Sequence, residues 1–76
     1  MELKKERDEL LKELYNHAIS LNHLYTPLRL SVEELTEYQF NVEMLEGLGF
    51  VKFDTKSRDL TLTVQGALEA ELLIEQ

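Results

Sequence analysis

Two stretches in the second half of the chain limit what it can fold into. The first is Leu45-Glu46-Gly47-Leu48-Gly49-Phe50-Val51-Lys52-Phe53. Its apolar residues arrive at helical spacing up to Leu48. Gly47 or Gly49 can then take the left-handed conformation that ends a helix. Val51 and Phe53 alternate with Lys52, as in a strand. The second stretch is Leu60-Thr61-Leu62-Thr63-Val64-Gln65-Gly66. Leu60 and Leu62 alternate with threonines, and Thr63 is placed to cap a new helix. Between the two lies Asp54-Thr55-Lys56-Ser57-Arg58-Asp59, a polar loop of turn formers. The order is helix, strand, turn, strand, helix.

Upstream, residues 2–24 predict one long amphipathic helix. Leu3, Leu10, Leu14, Ala18 and Leu21 recur at steps of three and four, with Leu11, Tyr15 and Leu24 flanking them. Asp8 with Lys12, Lys5 with Glu9, and Glu9 with Lys12 stand at pairing distance on such a helix. About 22 residues would reach roughly 33 Å, long for so small a body. Either the first turn is solvated, or the N-terminal half overhangs and offers Leu3, Leu10 and Leu11 to a second copy. Asn22-His23-Leu24-Tyr25-Thr26-Pro27 should end the helix, since proline lacks the N–H and pushes Thr26 out of the helical region. Pro27-Leu28-Arg29-Leu30 then reads as a short extended piece able to pair with the later strands.

Two helix-start signals follow closely. Ser31-Val32-Glu33-Glu34 is a capping box with Leu30 and Leu35 as its staple; Thr36-Glu37-Tyr38-Gln39 repeats it with Leu35 and Phe40. They predict a one-turn helix over 32–35, a sharp turn at Thr36 and a second helix over 37–48. In that second helix Phe40, Met44, Leu45 and Leu48 are assigned to the core. Tyr38, Asn41, Val42 and Glu46 are assigned to the outside. The last helix should run from Val64 to about Glu75, burying Val64, Ala67, Leu68, Leu72 and Leu73 or Ile74.

At this point the chain resembles the winged helix-turn-helix superfamily. The matching residues are Leu45…Leu48-Gly49-Phe50-Val51 and Leu60-Thr61-Leu62-Thr63…Gly66, within residues 26–75. The resemblance implies an α+β winged helix: a long first helix over 1–25, then over 26–76 a short helix-turn-helix, a two-stranded wing and a C-terminal helix, all in one domain of 76 residues. In this superfamily the third helix commonly enters the DNA major groove and the wing touches the backbone. Carried over, this implicates Glu37, Tyr38, Asn41 and Val42 on the helix, and Lys52, Lys56 and Arg58 on the wing.

Charge argues against taking over that habit. The net charge is −7. Residues 30–51 hold five acids and no cation, and residues 64–76 hold three acids and no cation. DNA-binding proteins make on the order of 6–10 phosphate contacts, largely through lysine and arginine. Here only Lys52, Lys56, Arg58 and Arg29 are placed to approach a backbone. The expectation is therefore a small regulatory or adaptor protein acting by protein contact or as a homodimer, with Glu37, Tyr38, Asn41 and Val42 as its contact surface. The alternative is a sequence-specific DNA-binding regulator acting as a dimer.

Other chemistry is weakly represented. There is no cysteine, so disulfides and thiolate sites are excluded, in keeping with a cytoplasmic protein. No signal peptide is expected from the charged first residues, and no segment has the ~20 apolar residues of a membrane span. Glu13 and His17 stand one helical turn apart, but two ligands make no metal site. Ser20, Ser31 and Ser57 have no base at a fixed spacing, and Gly47 and Gly49 are not followed by a phosphate-loop lysine. No enzyme activity, metal, cofactor or membrane partner is expected.

Overall fold

In a computed structural model the chain is described over residues 3–75. The elements are α1 (Leu3–Ser20), β1 (Leu28–Arg29), α2 (Val32–Gly47), β2 (Val51–Asp54), β3 (Asp59–Leu62) and α3 (Val64–Glu75). The fold is α+β, with three helices and one antiparallel sheet in the order β1-β3-β2. Residue 2, where the sequence placed the start of the first helix, lies outside the described residues.

The sheet follows from the hairpin. Asp54 closes the turn: its Oδ1 accepts the N–H of Lys56 at 2.9 Å and of Ser57 at 3.3 Å, and its carbonyl accepts that of Arg58. Arg58 takes φ +61°, unusual for a side chain with a Cβ. The register pairs Val51 with Leu62 and Phe53 with Leu60, so the apolar residues of both strands share one face. β1 adds to the far side of β3 through Leu28 opposite Leu60 and Arg29 opposite Asp59, as the extended reading of residues 27–30 requires.

α1 stops earlier than the proline suggests. Asn22 adopts the left-handed conformation (φ +53°), and the N–H groups of Asn22 and His23 return to the carbonyls of Ile19 and Ala18. This is the Schellman closure, with asparagine in the usual glycine position. The overhang is not present. Leu10 and Leu11 are core residues, Leu3 is half-buried, and Leu21 is exposed. Eighteen residues span about 27 Å, which fits inside a body of 30 × 29 × 19 Å. Among the described residues the ion pair on this helix is Lys4 with Asp8 at 2.8 Å, and not one of the three expected pairs.

The largest correction concerns the helix-turn-helix. Residues 32–47 form one continuous helix. Its first signal works as expected: Ser31 Oγ accepts the Glu34 N–H, and Glu34 Oε1 accepts the Ser31 N–H. The second signal does not act as a cap. Thr36 Oγ1 donates 2.9 Å back to the Val32 carbonyl, an i−4 bond that a helix interior tolerates. Nothing in residues 32–47 before Gly47 breaks a helix, so the turn never forms. The helix ends at Gly49 (φ +80°): the N–H of Gly49 reaches the Glu46 carbonyl, and that of Phe50 the Leu45 carbonyl.

The core is built from Leu10, Leu11, Leu14 and Ala18 of α1, Leu30 just before α2, Val42 and Leu45 of α2, Val51, Leu60 and Leu62 of the sheet, and Ala70 of α3. α1 packs against α2, β3 and α3, and α2 also packs on β2. At α3 the contact is made by small residues. An added Cβ on Gly66 would lie 1.9 Å from the Phe50 carbonyl oxygen, so the helix start sits directly on the α2–β2 corner.

Candidate interaction surface on α2 and α3

Both later helices turn a different face outward from the one the sequence suggested. On α2, Asn41 and Val42 were expected outside; they are 2% and 1% exposed. Tyr38 is half-buried against the core, and of the four expected contact residues only Glu37 is exposed. Conversely Phe40, Met44 and Leu48, expected inside, are 55%, 38% and 45% exposed. Their spacing of four places them along one stripe. On α3 the buried side is Gly66 and Ala70, with Ala67 and Leu73 half-buried. Val64, Leu68 and Leu72, again four apart, form a second exposed stripe.

The two stripes start from one corner. Gln65 Nε2 donates to the Leu48 carbonyl at 3.4 Å, and its side chain lies beside Gly49. Thr63, at the same corner, donates 2.7 Å to the Gly49 carbonyl and accepts the Gly66 N–H at 3.0 Å. The end of α2 and the start of α3 are therefore held together, with Leu48 and Val64 on their outer surfaces.

Charge around the stripes has one sign. Glu33, Glu37, Glu43 and Glu46 are exposed on α2, and Glu71 and Glu75 on α3. Neither helix has a basic residue in its last turn. The C-terminal end of a helix carries partial negative charge, which cations normally offset. Here Glu43 and Glu46 add to it.

The wing residues are committed differently. Arg58 Nε donates 2.9 Å to the Leu30 carbonyl, so its guanidinium latches the turn to the segment before α2. Arg29 lies 3.5 Å from Asp59 across the β1–β3 register pair. Lys52 and Lys56 are exposed. They line an open groove of about 610 Å³ together with Asp54 and Asp59, so its charge is mixed. A smaller cleft of about 300 Å³ lies between the end of α1 and α3, beside Tyr15, His23 and Glu71.

Two tyrosines are perturbed. Tyr15 donates 2.9 Å to Glu71 Oε2, and this bond to a carboxylate, with burial and the charge of Glu71, holds its hydroxyl above the ordinary value. Tyr38 is raised chiefly by the neighbouring charge of Glu37. His17 Nε2 lies 3.3 Å from the Pro27 carbonyl, to which the Nε2–H tautomer donates. Among the described residues there is no group of three metal-ligating side chains, and no helix is long and apolar enough to cross a membrane.

The chain matches no protein-family profile, no curated protein and no solved structure.

The signal for the exposed stripes was present in the sequence as an excess. α2 carries Leu35, Tyr38, Val42 and Leu45 at one three-to-four spacing, and Phe40, Met44 and Leu48 at another. One side of a helix cannot bury both sets.

Proposed function

We propose that this protein is a non-catalytic interaction module, built as a variant winged helix and working through protein contact. In this variant the second and third helices of the winged-helix plan are fused into α2, and β2–β3 is the wing. The observation that carries the functional proposal is the exposed stripe Phe40–Met44–Leu48 on a helix whose charged residues are all acidic. Large apolar side chains clustered on a surface mark interaction sites more often than chance. The alternative, DNA contact, would put that same acidic helix against phosphates. Its support would have to come from the wing and the neighbouring β1, where Arg58 and Arg29 are already engaged and Lys52 and Lys56 remain.

The test has two arms. Phe40→Ser with Met44→Ser should leave the melting temperature within a few degrees and lower the binding of a hydrophobic dye, because both side chains lie outside the core. A mixed-sequence DNA duplex titrated at low salt, where electrostatic attraction is strongest, should give no mobility shift. A shift abolished by Lys52→Glu with Lys56→Glu would replace the protein-contact reading with the nucleic-acid one.

A further inference from the structure

We infer that the occupant of the α2–α3 surface is a cationic amphipathic helix of another protein, with an apolar stripe flanked by lysine or arginine. The inference rests on the protein-contact reading above and names the chemistry of the partner.

Three observations point the same way. The apolar part, Phe40–Met44–Leu48 and Val64–Leu68–Leu72, repeats at one helical turn, a pattern that a helix with apolar residues every three to four positions complements. The charged part is uniformly acidic, since residues 30–51 and 64–76 contain no lysine or arginine. Finally, the negative end of α2 carries Glu43 and Glu46 and no cation. That arrangement is unfavourable in the free protein and is relieved when a positive side chain arrives. Charge complementarity also speaks against a second copy of this chain. Pairing the surface with itself would bring two acidic rims together, and like charges at an interface discriminate against a partner. An anionic membrane or nucleic acid is disfavoured for the same reason.

The experiment uses the intact protein and two synthetic helical peptides with the same leucine stripe, one with lysine and one with glutamate on its polar positions. Binding is followed by fluorescence anisotropy and located by amide chemical-shift changes. The lysine peptide should bind, with shifts on α2 and α3 centred on Met44, Leu48 and Leu68. Glu37→Gln with Glu43→Gln, the acids nearest the stripe, should weaken it roughly five- to tenfold, the scale of two exposed ion pairs. Phe40→Ser with Met44→Ser should weaken it at least as much, which separates docking from plain attraction to an acidic protein. Equal binding of the glutamate peptide, or lysine-peptide binding indifferent to either double variant, overturns the inference. Sedimentation at two concentrations separates the two levels. Self-association lost in Phe40→Ser would overturn the cationic partner while keeping the protein-contact reading. A monomer that binds neither peptide would count against both.

Discussion

Thr63 Oγ1 donates a 2.7 Å hydrogen bond to the carbonyl of Gly49, and through it the residue that starts α3 is tied to the residue that stops α2. The same oxygen accepts the Gly66 N–H. One hydroxyl thus satisfies a helix cap and holds a corner. Thr63→Val keeps the shape and removes both bonds. It should destabilise the fold by about 1–2 kcal/mol, the range of a lost N-cap. Thr63→Ser should recover most of this. Urea unfolding of the three proteins measures it.

The glycines of the corner should respond in opposite directions. Glycine-to-alanine in a helix ordinarily stabilises by about 0.5–1 kcal/mol. Gly47→Ala should do so, because nothing lies within 4 Å of the added Cβ. Gly66→Ala should reverse the sign and cost about 2 kcal/mol or more, because backbone atoms of Phe50 occupy the space. Thermal melts of the two variants side by side give the contrast.

Asn41 is a polar side chain inside the core, and its Oδ1 has no hydrogen-bond partner among the described residues. Leaving such an atom unsatisfied costs about 1–3 kcal/mol. Asn41→Leu, which keeps the branched shape and removes the polar atoms, should therefore raise the urea midpoint. A loss of stability would mean that the oxygen is satisfied by a bound water.

Tyr15 and Tyr38 bind their protons more tightly in the folded protein than in the unfolded chain. The stability this gives is complete below the ordinary tyrosine value of 10.0 and is lost as pH rises through the higher folded values. Unfolding midpoints should fall on the alkaline side of that value. Tyr15→Phe should flatten part of the fall, and its absorbance titration should lose a late-ionising component.

Most of the architecture could be read locally because its signals are local. The Ser31–Glu34 box, the stop at Gly49, the polar turn after Asp54 and the start at Thr63 each need only neighbours a few residues away. The failures came where a local pattern has two physical outcomes. Thr36 can cap a helix or bond back into one, and only continuation of the preceding turn decides. The buried face of α2 is turned from the expected one, with Leu45 inside and Glu46 outside as expected, because apolar residues surround the helix. Packing against α1 and β2 selects Val42 and Leu45 and leaves Phe40 outside. On α3, Gly66 and Ala70 were informative for their smallness, since only small side chains allow so close an approach to Phe50. The candidate surface was legible only as an excess of apolar residues, and its location required the fold.

α1 packs against α2, β3 and α3, and its Tyr15 meets a Glu71 that lies 56 residues further along the chain. During synthesis this helix is made first and completed last. Leu10, Leu11 and Leu14 stay uncovered until the sheet and the final helix have emerged, and closing so long a loop slows the search. In the cell the span between translation of α1 and arrival of α3 is therefore the window in which the nascent chain is most open to chaperones and to aggregation.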